Sequence, residues 1–440
     1  MRRALLGLFV LALVSSALVG TRGVAYWDAG DYVVLALRGG ASGLLLGRPA
    51  FLLVSRGLVR LLRVLGGADA AVEPVLRWSW SVVSATAAPL LAVLGARLGL
   101  SRAAALAAGA ALATSPTFAH TSHQVLTDGP ALAASIGALV AATSGRVVLA
   151  GALFGLAVAT RETAVAHGLA VLLLLRTRRG NGGAAVAAMV AGTVIVALVL
   201  DAHGGSPRAV VGWFSAMRRS SSAHGLAARD GAISCGWVLA MAPLAVVAGG
   251  ARLRAARGEL AWVVVPAAVA TALLLFYPDG SFSPRYVLST APLALLLPAG
   301  AWLAEHRRAF VVAAALGLAS VPFTTRSARA IAARGAALGP RLAALPPTLT
   351  LVPGHFCPHA KLALATLPPR DVRLVCPGWD WPEDPARTLA AALAEGRPVA
   401  LDLADEAWIG PREVGPREAC RAFARAHSTR VVAGFVVVER

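Results

Sequence analysis

Charge is scarce in this chain. Only 14% of its 440 residues are charged, while 57% are hydrophobic. A soluble domain rarely carries so few charges, so a soluble enzyme is excluded as a description of the whole. Lysine is almost absent: Lys361 is the only one, and Arg carries the rest of a formal net charge of +19. Aromatics make up 6% and no nucleic-acid-binding motif accompanies the Arg residues, so the basic balance does not point to nucleic acid. Most of the Arg flank apolar runs instead, as membrane proteins require. The four cysteines, Cys235, Cys357, Cys376 and Cys420, form no CxxC pair, which argues against zinc ligation or a thioredoxin-like site. No small-x-small cleavage site follows Arg2-Arg3 and the apolar run to Gly20. That start reads as an uncleaved first helix.

Long apolar runs are what the chain has in abundance. A helix needs about 20 apolar residues to cross a bilayer. Candidates lie near 4–20, 76–96, 103–119, 129–144, 147–160, 163–175, 184–200, 233–250, 260–276, 286–303 and 309–323. The expected fold is an α-helical polytopic membrane protein of about 11 transmembrane helices (residues 1–325), followed by a small α/β soluble domain (326–440). With the N-terminus cytoplasmic, the inner linkers hold Arg97 and Arg102, Arg146, Arg176 to Arg179, Arg252 to Arg257, and Arg307 and Arg308. The short outer linkers hold only Arg161 and Arg285. This is the positive-inside pattern, and it places the protein in the plasma or inner membrane with its C-terminal domain outside the cytoplasm.

The long outer segments 21–75 and 201–232 break that pattern. In 50–65, Arg56, Arg60 and Arg63 fall on one helical face and apolar residues largely elsewhere. Two readings stand: an amphipathic helix lying in the interface, or a tilted span made expensive by three Arg. After residue 323 the apolar runs shorten. Thr348–Val352, Val372–Val375, Val399–Leu403 and Val431–Val438 read as strands, with helices at 359–366, 386–395 and 417–427 between them. A disulfide between Cys357 and Cys376 fits an external domain.

Ionisable residues at the ends of apolar spans are the functional candidates, and they fall on one side. Asp28 and Asp31, in Tyr26-Trp27-Asp28-Ala29-Gly30-Asp31-Tyr32, are three apart and share a helical face. They suit general-base work or a divalent metal; equally, they suit a helix cap and first-turn acid. His120, His123 and Asp128 offer metal-ligand types, although Asp128 before Gly129-Pro130 also suits a cap. Arg161-Glu162 sits between two apolar runs, where Arg161 needs an anion: Glu162, or a lipid phosphate. Arg285-Tyr286 after Pro284 is either a phosphate ligand or an interfacial anchor.

In order and spacing these motifs resemble the GT-C superfamily of polyprenyl-phosphate-sugar-dependent glycosyltransferases. The likeness is to protein O-mannosyltransferase-like proteins of glycosyltransferase family 39. It rests on Trp27-Asp28-Ala29-Gly30-Asp31-Tyr32 followed by the 50–65 helix, on Ser115-Pro116-Thr117-Phe118, on Arg161-Glu162, and on Pro284-Arg285-Tyr286 opening a late Pro-containing span. It covers roughly residues 1–325. The separation of Asp28 from Asp31 departs from the adjacent acids of many relatives, and the C-terminal domain has no counterpart.

The resemblance implies an inverting hexosyl- or pentosyltransferase. It would move a sugar from a polyprenyl-phosphate donor to an extracytoplasmic acceptor hydroxyl on protein, lipid or glycan. Asp28 is expected as the base and Asp31 as its helper. Arg285, Arg161 and Tyr286 are expected on the donor phosphate, and His120, His123, Asp128 and Glu162 at a metal or the acceptor. No motif demands a cofactor; Mg or Mn is the ion such acids would take. A lipid-linked-glycan flippase is the alternative, but it should show internal repeats and midplane polar groups. A ligase stays open through Arg218, Arg219, His224 and Asp230 in the 201–232 loop.

Overall fold

The structure is a computed structural model that describes residues 1–20, 23–25, 27–39, 48–179, 258–275, 284–308, 310–312, 314–315, 326–377, 382, 384–408 and 413–439. The expected spans at 184–200 and 233–250, the 201–232 loop and most of 309–323 lie outside these described residues.

The N-terminal body is built of packed apolar helices. They are α1 (Arg2–Val19), α2 (Trp27–Arg38), α3 (Pro49–Val64), α4 (Val72–Ala85), α5 (Ala87–Arg97), α6 (Arg102–Ala113), α7 (Pro116–Ser122), α8 (Asp128–Thr143), α9 (Val147–Thr160), α10 (Gly168–Arg179), α11 (Glu259–Leu275) and α12 (Leu297–Glu305). Among the described residues two stretches, Arg2–Val19 and Asp69–Arg97, are long and apolar enough to cross a membrane, and five further apolar helices are shorter. The expected span 103–119 is instead two helices. Ser101 caps α6 by accepting the Ala104 amide at 3.2 Å, and the run stops before Pro116, which has no N–H and holds Ser115 in an extended conformation. The expected late span 286–303 is likewise broken, into a 3-10 turn at Pro284–Ser289, a π turn at Pro292–Leu296 and α12.

Small residues let these helices approach. A Cβ on Gly300 of α12 would lie 2.5 Å from the Ala104 carbonyl oxygen of α6, and one on Gly109 would lie 2.7 Å from that of Ala88. Such close backbone contact substitutes for the hydrophobic drive that apolar surroundings do not supply. Leu91, Leu112, Ile136, Leu139, Leu174 and Leu293 fill the space between helices.

Helix α3 is the amphipathic one. Pro49 opens it, pre-set for a first helical position. It buries Phe51, Leu52, Ser55 and Val59 and packs on α2 and α4. Phe51 stacks on Trp80 at 4.3 Å and meets Tyr32 edge-on at 5.0 Å; Trp80 Nε1 donates to Ser55 Oγ at 3.0 Å. Arg56 and Arg63 reach carbonyls of α2, Leu35 at 3.2 Å and Leu37 at 3.4 Å. Val54, Leu61 and Val64 remain exposed.

The C-terminal unit adds α13 (Arg326–Ala336), α14 (Leu338–Ala343), β1 (Thr348–Val352), α15 (Cys357–Thr366), β2 (Asp371–Leu374), α16 (Pro385–Ala394), β3 (Val399–Leu401), α17 (Val414–Arg425), β4 (Thr429–Val432) and β5 (Phe435–Val438). The sheet order is β2-β1-β3-β5-β4, with β1 parallel to β2 and β3, and β5 antiparallel to β3 and β4. The single strand expected over Val431–Val438 is a hairpin. Ala433 and Gly434 both take positive φ, 49° and 80°, which is the two-residue turn that matches strand twist. A disulfide joins Cys357 to Cys376, with Cα atoms 5.7 Å apart.

Candidate active site

The site gathers at the helix ends where α2, α3, α8 and α9 meet. Asp28 lies in the first turn of α2, and Tyr32 follows one turn later on the same face. Arg48 immediately precedes α3 and is buried. Its guanidinium joins three groups. Nη1 stands 3.7 Å from Asp28 Oδ2 and donates to the Tyr32 hydroxyl. Nε and Nη2 donate to the two carboxylate oxygens of Glu162, each at 3.4 Å. Arg48 is thus a fork closed on Glu162 with Asp28 beside it, and the side chains of Asp28 and Glu162 remain 22% and 30% exposed. Burial pushes the Glu162 carboxyl up, but Arg48 and then Arg161 outweigh it and hold it below its ordinary value. Burial is the largest influence on Tyr32 and pushes its phenol up, so Tyr32 keeps its proton.

Behind this cluster lies a second pair. Arg161 Nη1 is 3.0 Å from Asp128 Oδ2, with side chains 1% and 0% exposed, and it donates to Thr127 Oγ1 at 3.1 Å. The expected Arg161–Glu162 partnership is therefore replaced: Arg161 takes Asp128, and Glu162 takes Arg48. Arg161 is extended, φ −158° and ψ 127°, before the 3-10 turn Glu162–His167. The backbone thus changes from extended to 3-10 between the two residues, and their side chains take different partners.

Asp28 and Asp31 share a helix, and a different cation stands at each. Asp31 Oδ1 is 3.2 Å from Lys361 Nζ of α15. The His120, His123 and Asp128 grouping also separates. His123 Nε2 meets Arg77 at 3.1 Å and its Nδ1 meets Ser81 Oγ at 3.3 Å, while Asp128 is held by Arg161. Among the described residues no three His, Cys, Asp or Glu side chains group to hold a metal ion. Burial first, then Arg77, pushes His123 down to about 4; burial first, then Arg329 and His123, pushes His120 down to about 4. Arg285 and Tyr286 fall in the turn Pro284–Ser289, and their side chains are outside the described set. That turn packs on α7, α8 and the Glu162–His167 turn, and its Ser289 carbonyl lies 2.9 Å from His167 Nε2.

Sequence reasoning missed Arg48, Lys361 and Gln124, whose Oε1 accepts the Ala25 amide at 3.0 Å and ties the first loop to the 120–128 segment. Arg48 had one usable signal: a cation before proline at the mouth of an amphipathic helix.

An apolar groove of about 510 Å³ is lined by residues that neighbour the charged cluster in the chain. Ala50, Val54, Trp80, Pro130 and Thr160 line the end next to Arg48, Asp128 and Arg161, and Arg97, Ser144 and Arg146 line the other. The groove thus follows the whole of α8, a 16-residue helix about 24 Å long.

No family model and no curated protein matches the sequence. Among solved structures, the chain is similar to ArnT from Cupriavidus metallidurans in the apo state, with a TM-score of 0.52 and 15% identity over 98% of this chain and 95% of that one. It is equally similar to ArnT from the same organism bound to undecaprenyl phosphate, with a TM-score of 0.52 and 16% identity over 98% of this chain and 97% of that one. At this identity the likeness is one of fold: the chain has the fold of these ArnT structures over nearly its whole length.

Proposed function

We propose that this protein is a membrane glycosyltransferase that takes its sugar from a polyprenyl-phosphate donor and passes it to an acceptor hydroxyl outside the cytoplasm. The observation that carries this reading is the groove: an apolar channel of about 510 Å³ whose lining includes Ala50 and Thr160, chain neighbours of a cluster of one buried arginine and two part-exposed carboxylates. A polyprenyl tail suits the channel, and a sugar phosphate suits the cluster. The solved ArnT complex with undecaprenyl phosphate supports a lipid of the same chemistry.

Asp28 is the base. As the acceptor oxygen bonds to the anomeric carbon, its proton passes to the Asp28 carboxylate. The bond from that carbon to the phosphate oxygen breaks, and its electron pair leaves with the phosphate. Attack opposite the leaving group inverts the anomeric centre. The growing phosphate charge needs a planar cation. Arg48 supplies one, Arg285 with Tyr286 a second, and Arg161 supports the wall from behind. Asp28 and Asp31 each already face a cation, Arg48 and Lys361, which is a poor donor set for a metal, and no step is routed through one.

The test is release of polyprenyl phosphate from a radiolabelled polyprenyl-phosphate sugar by purified protein. Arg285→Ala is expected to weaken donor binding, and Arg285→Lys, which loses the planar fork, to slow turnover. Wild-type protein that neither binds polyprenyl phosphate nor cleaves the donor would end this reading. The C-terminal unit belongs outside the cytoplasm on the same view, so a reporter fused after Arg440 should show no cytoplasmic activity.

A further inference from the structure

Of its Lys and Arg positions the chain uses Arg at all but one, and that one, Lys361, lies on helix α15 of the C-terminal unit, which packs against the acid-bearing helix α2. His359 Nε2 meets the Val24 carbonyl at 2.8 Å. A Cβ on Gly30 would lie 2.7 Å from Pro358 Cβ, so only glycine permits this approach. Arg38 donates to the Leu364 and Ala365 carbonyls at 3.0 and 2.9 Å. Between these contacts, Lys361 Nζ stands 3.2 Å from Asp31 Oδ1, with side chains 28% and 16% exposed. The disulfide at Cys357 ties the start of α15 to the segment after β2.

Two acids on one helical turn repel when both are ionised. Arg48 stands beside Asp28 and forks onto Glu162, and Lys361 brings a cation to Asp31. That cation enters between helices that approach closely at Gly30 and Pro358. An ammonium is a compact point charge on a flexible stem, whereas a guanidinium is a broad plane. This distinction gives a physical reason for lysine in a chain that otherwise uses arginine.

Resting on the glycosyltransferase reading, we infer that the C-terminal unit completes the acid pair. Lys361 is a positioning residue that keeps the Asp31 carboxylate ionised and fixed beside the base Asp28. The C-terminal unit is then part of the catalytic body, not a separate module carried by it.

Because Lys361 is the sole lysine, the charge can be removed from protein that is already folded. Acetylation of purified wild-type protein neutralises Lys361 and the N-terminal amine, while reductive methylation modifies the same groups and keeps the charge. The acid limb of the rate profile should move up by about one pH unit after acetylation and stay in place after methylation. Acetylating Lys361→Arg touches only the N-terminus and should move its limb no further. An unmoved limb in acetylated wild type, or an equal movement in acetylated Lys361→Arg, overturns the proposal. A second readout needs no substrate. The acetylation rate of Lys361, followed by mass spectrometry, should rise several-fold in Asp31→Asn; equal rates overturn the pairing. If wild-type protein turns over no donor, the glycosyltransferase reading fails by itself, and the acetylation rates still decide whether Lys361 holds Asp31.

Discussion

Two arginine–carboxylate assemblies lie side by side in this molecule and differ in one respect. Arg161 and Asp128 are sealed, 1% and 0% exposed. Arg48, itself buried, holds Asp28 and Glu162 with edges open to solvent. Residue types are the same in both, so composition does not separate support from chemistry; access does. A sealed pair contributes little net stability when intact, because desolvation offsets attraction, yet breaking it leaves a lone buried charge. An open carboxylate costs little to lose structurally but can receive a proton from a substrate. The proposed base role of Asp28 and the proposed framing role of Arg161 rest on that contrast.

The contrast breaks most visibly at Asp28. Asp28→Asn is nearly isosteric and keeps an oxygen toward Arg48, so the protein should purify and unfold as wild type does. Turnover should fall by about 100- to 10,000-fold, the usual worth of a general base. A lost helix-end interaction, by comparison, costs only about 0.5–2 kcal/mol in stability and spares the rate per folded molecule. Near-normal turnover would pass the base role to Asp31 and dissolve the comparison.

The sealed pair should behave the opposite way. Arg161→Ala strands Asp128 and should cost about 3–5 kcal/mol, read as a lowered thermal unfolding temperature in detergent. Arg161→Met with Asp128→Leu removes both charges and should recover most of that loss. If Arg161→Ala instead unfolds normally and loses polyprenyl-phosphate affinity, Arg161 binds donor and the sealed pair is a site.

Much of this contrast was legible in the sequence, because ionisable residues at the edges of apolar runs stand out from their surroundings. Asp28, Asp128, Arg161 and Glu162 were found that way, and α9 begins and ends at the residues its hydropathy predicts, Val147–Thr160. Partnership was not legible. Neighbours in sequence suggested Arg161 with Glu162, but the backbone changes from extended at Arg161 to a 3-10 turn at Glu162, and the two side chains take different partners. Arg48 lay hidden because its segment is rich in arginine and nothing local distinguishes a buried one. Lys361 lay hidden because its partner is 330 residues away. Pro116 and the Ala433-Gly434 turn were readable signals. Hydrophobicity outvoted both, which is why one predicted span and one predicted strand each proved to be two elements.

The smallest expected effect concerns two rings that the sequence placed with Asp128 and the structure places elsewhere. His120 and His123 are 4% and 3% exposed, and both are pushed down to about 4 from the ordinary 6.5, burial acting first. Below pH 6.5 the unfolded chain therefore binds protons that the folded chain refuses. The stability these rings contribute is complete above pH 6.5 and declines as pH falls toward 4, where the folded protein accepts protons too. At pH 5.5, one unit into that window, each ring should cost about 1.4 kcal/mol. Glu162 works in a different window. Its folded value lies below the ordinary 4.5, so its contribution is intact through pH 5.5 and is lost only under more acid conditions. The open acid cluster and the histidine segment are thus separable by pH alone. Thermal unfolding in detergent at pH 7.5 and 5.5 measures the histidine part. His123→Gln keeps an acceptor for Arg77 but cannot titrate, so its unfolding temperature should fall less between the two pH values than that of wild type. An equal fall in both proteins would mean that His123 is already protonated beside Arg77 in the folded state, and that the segment carries charge where the structure has neutral, buried rings.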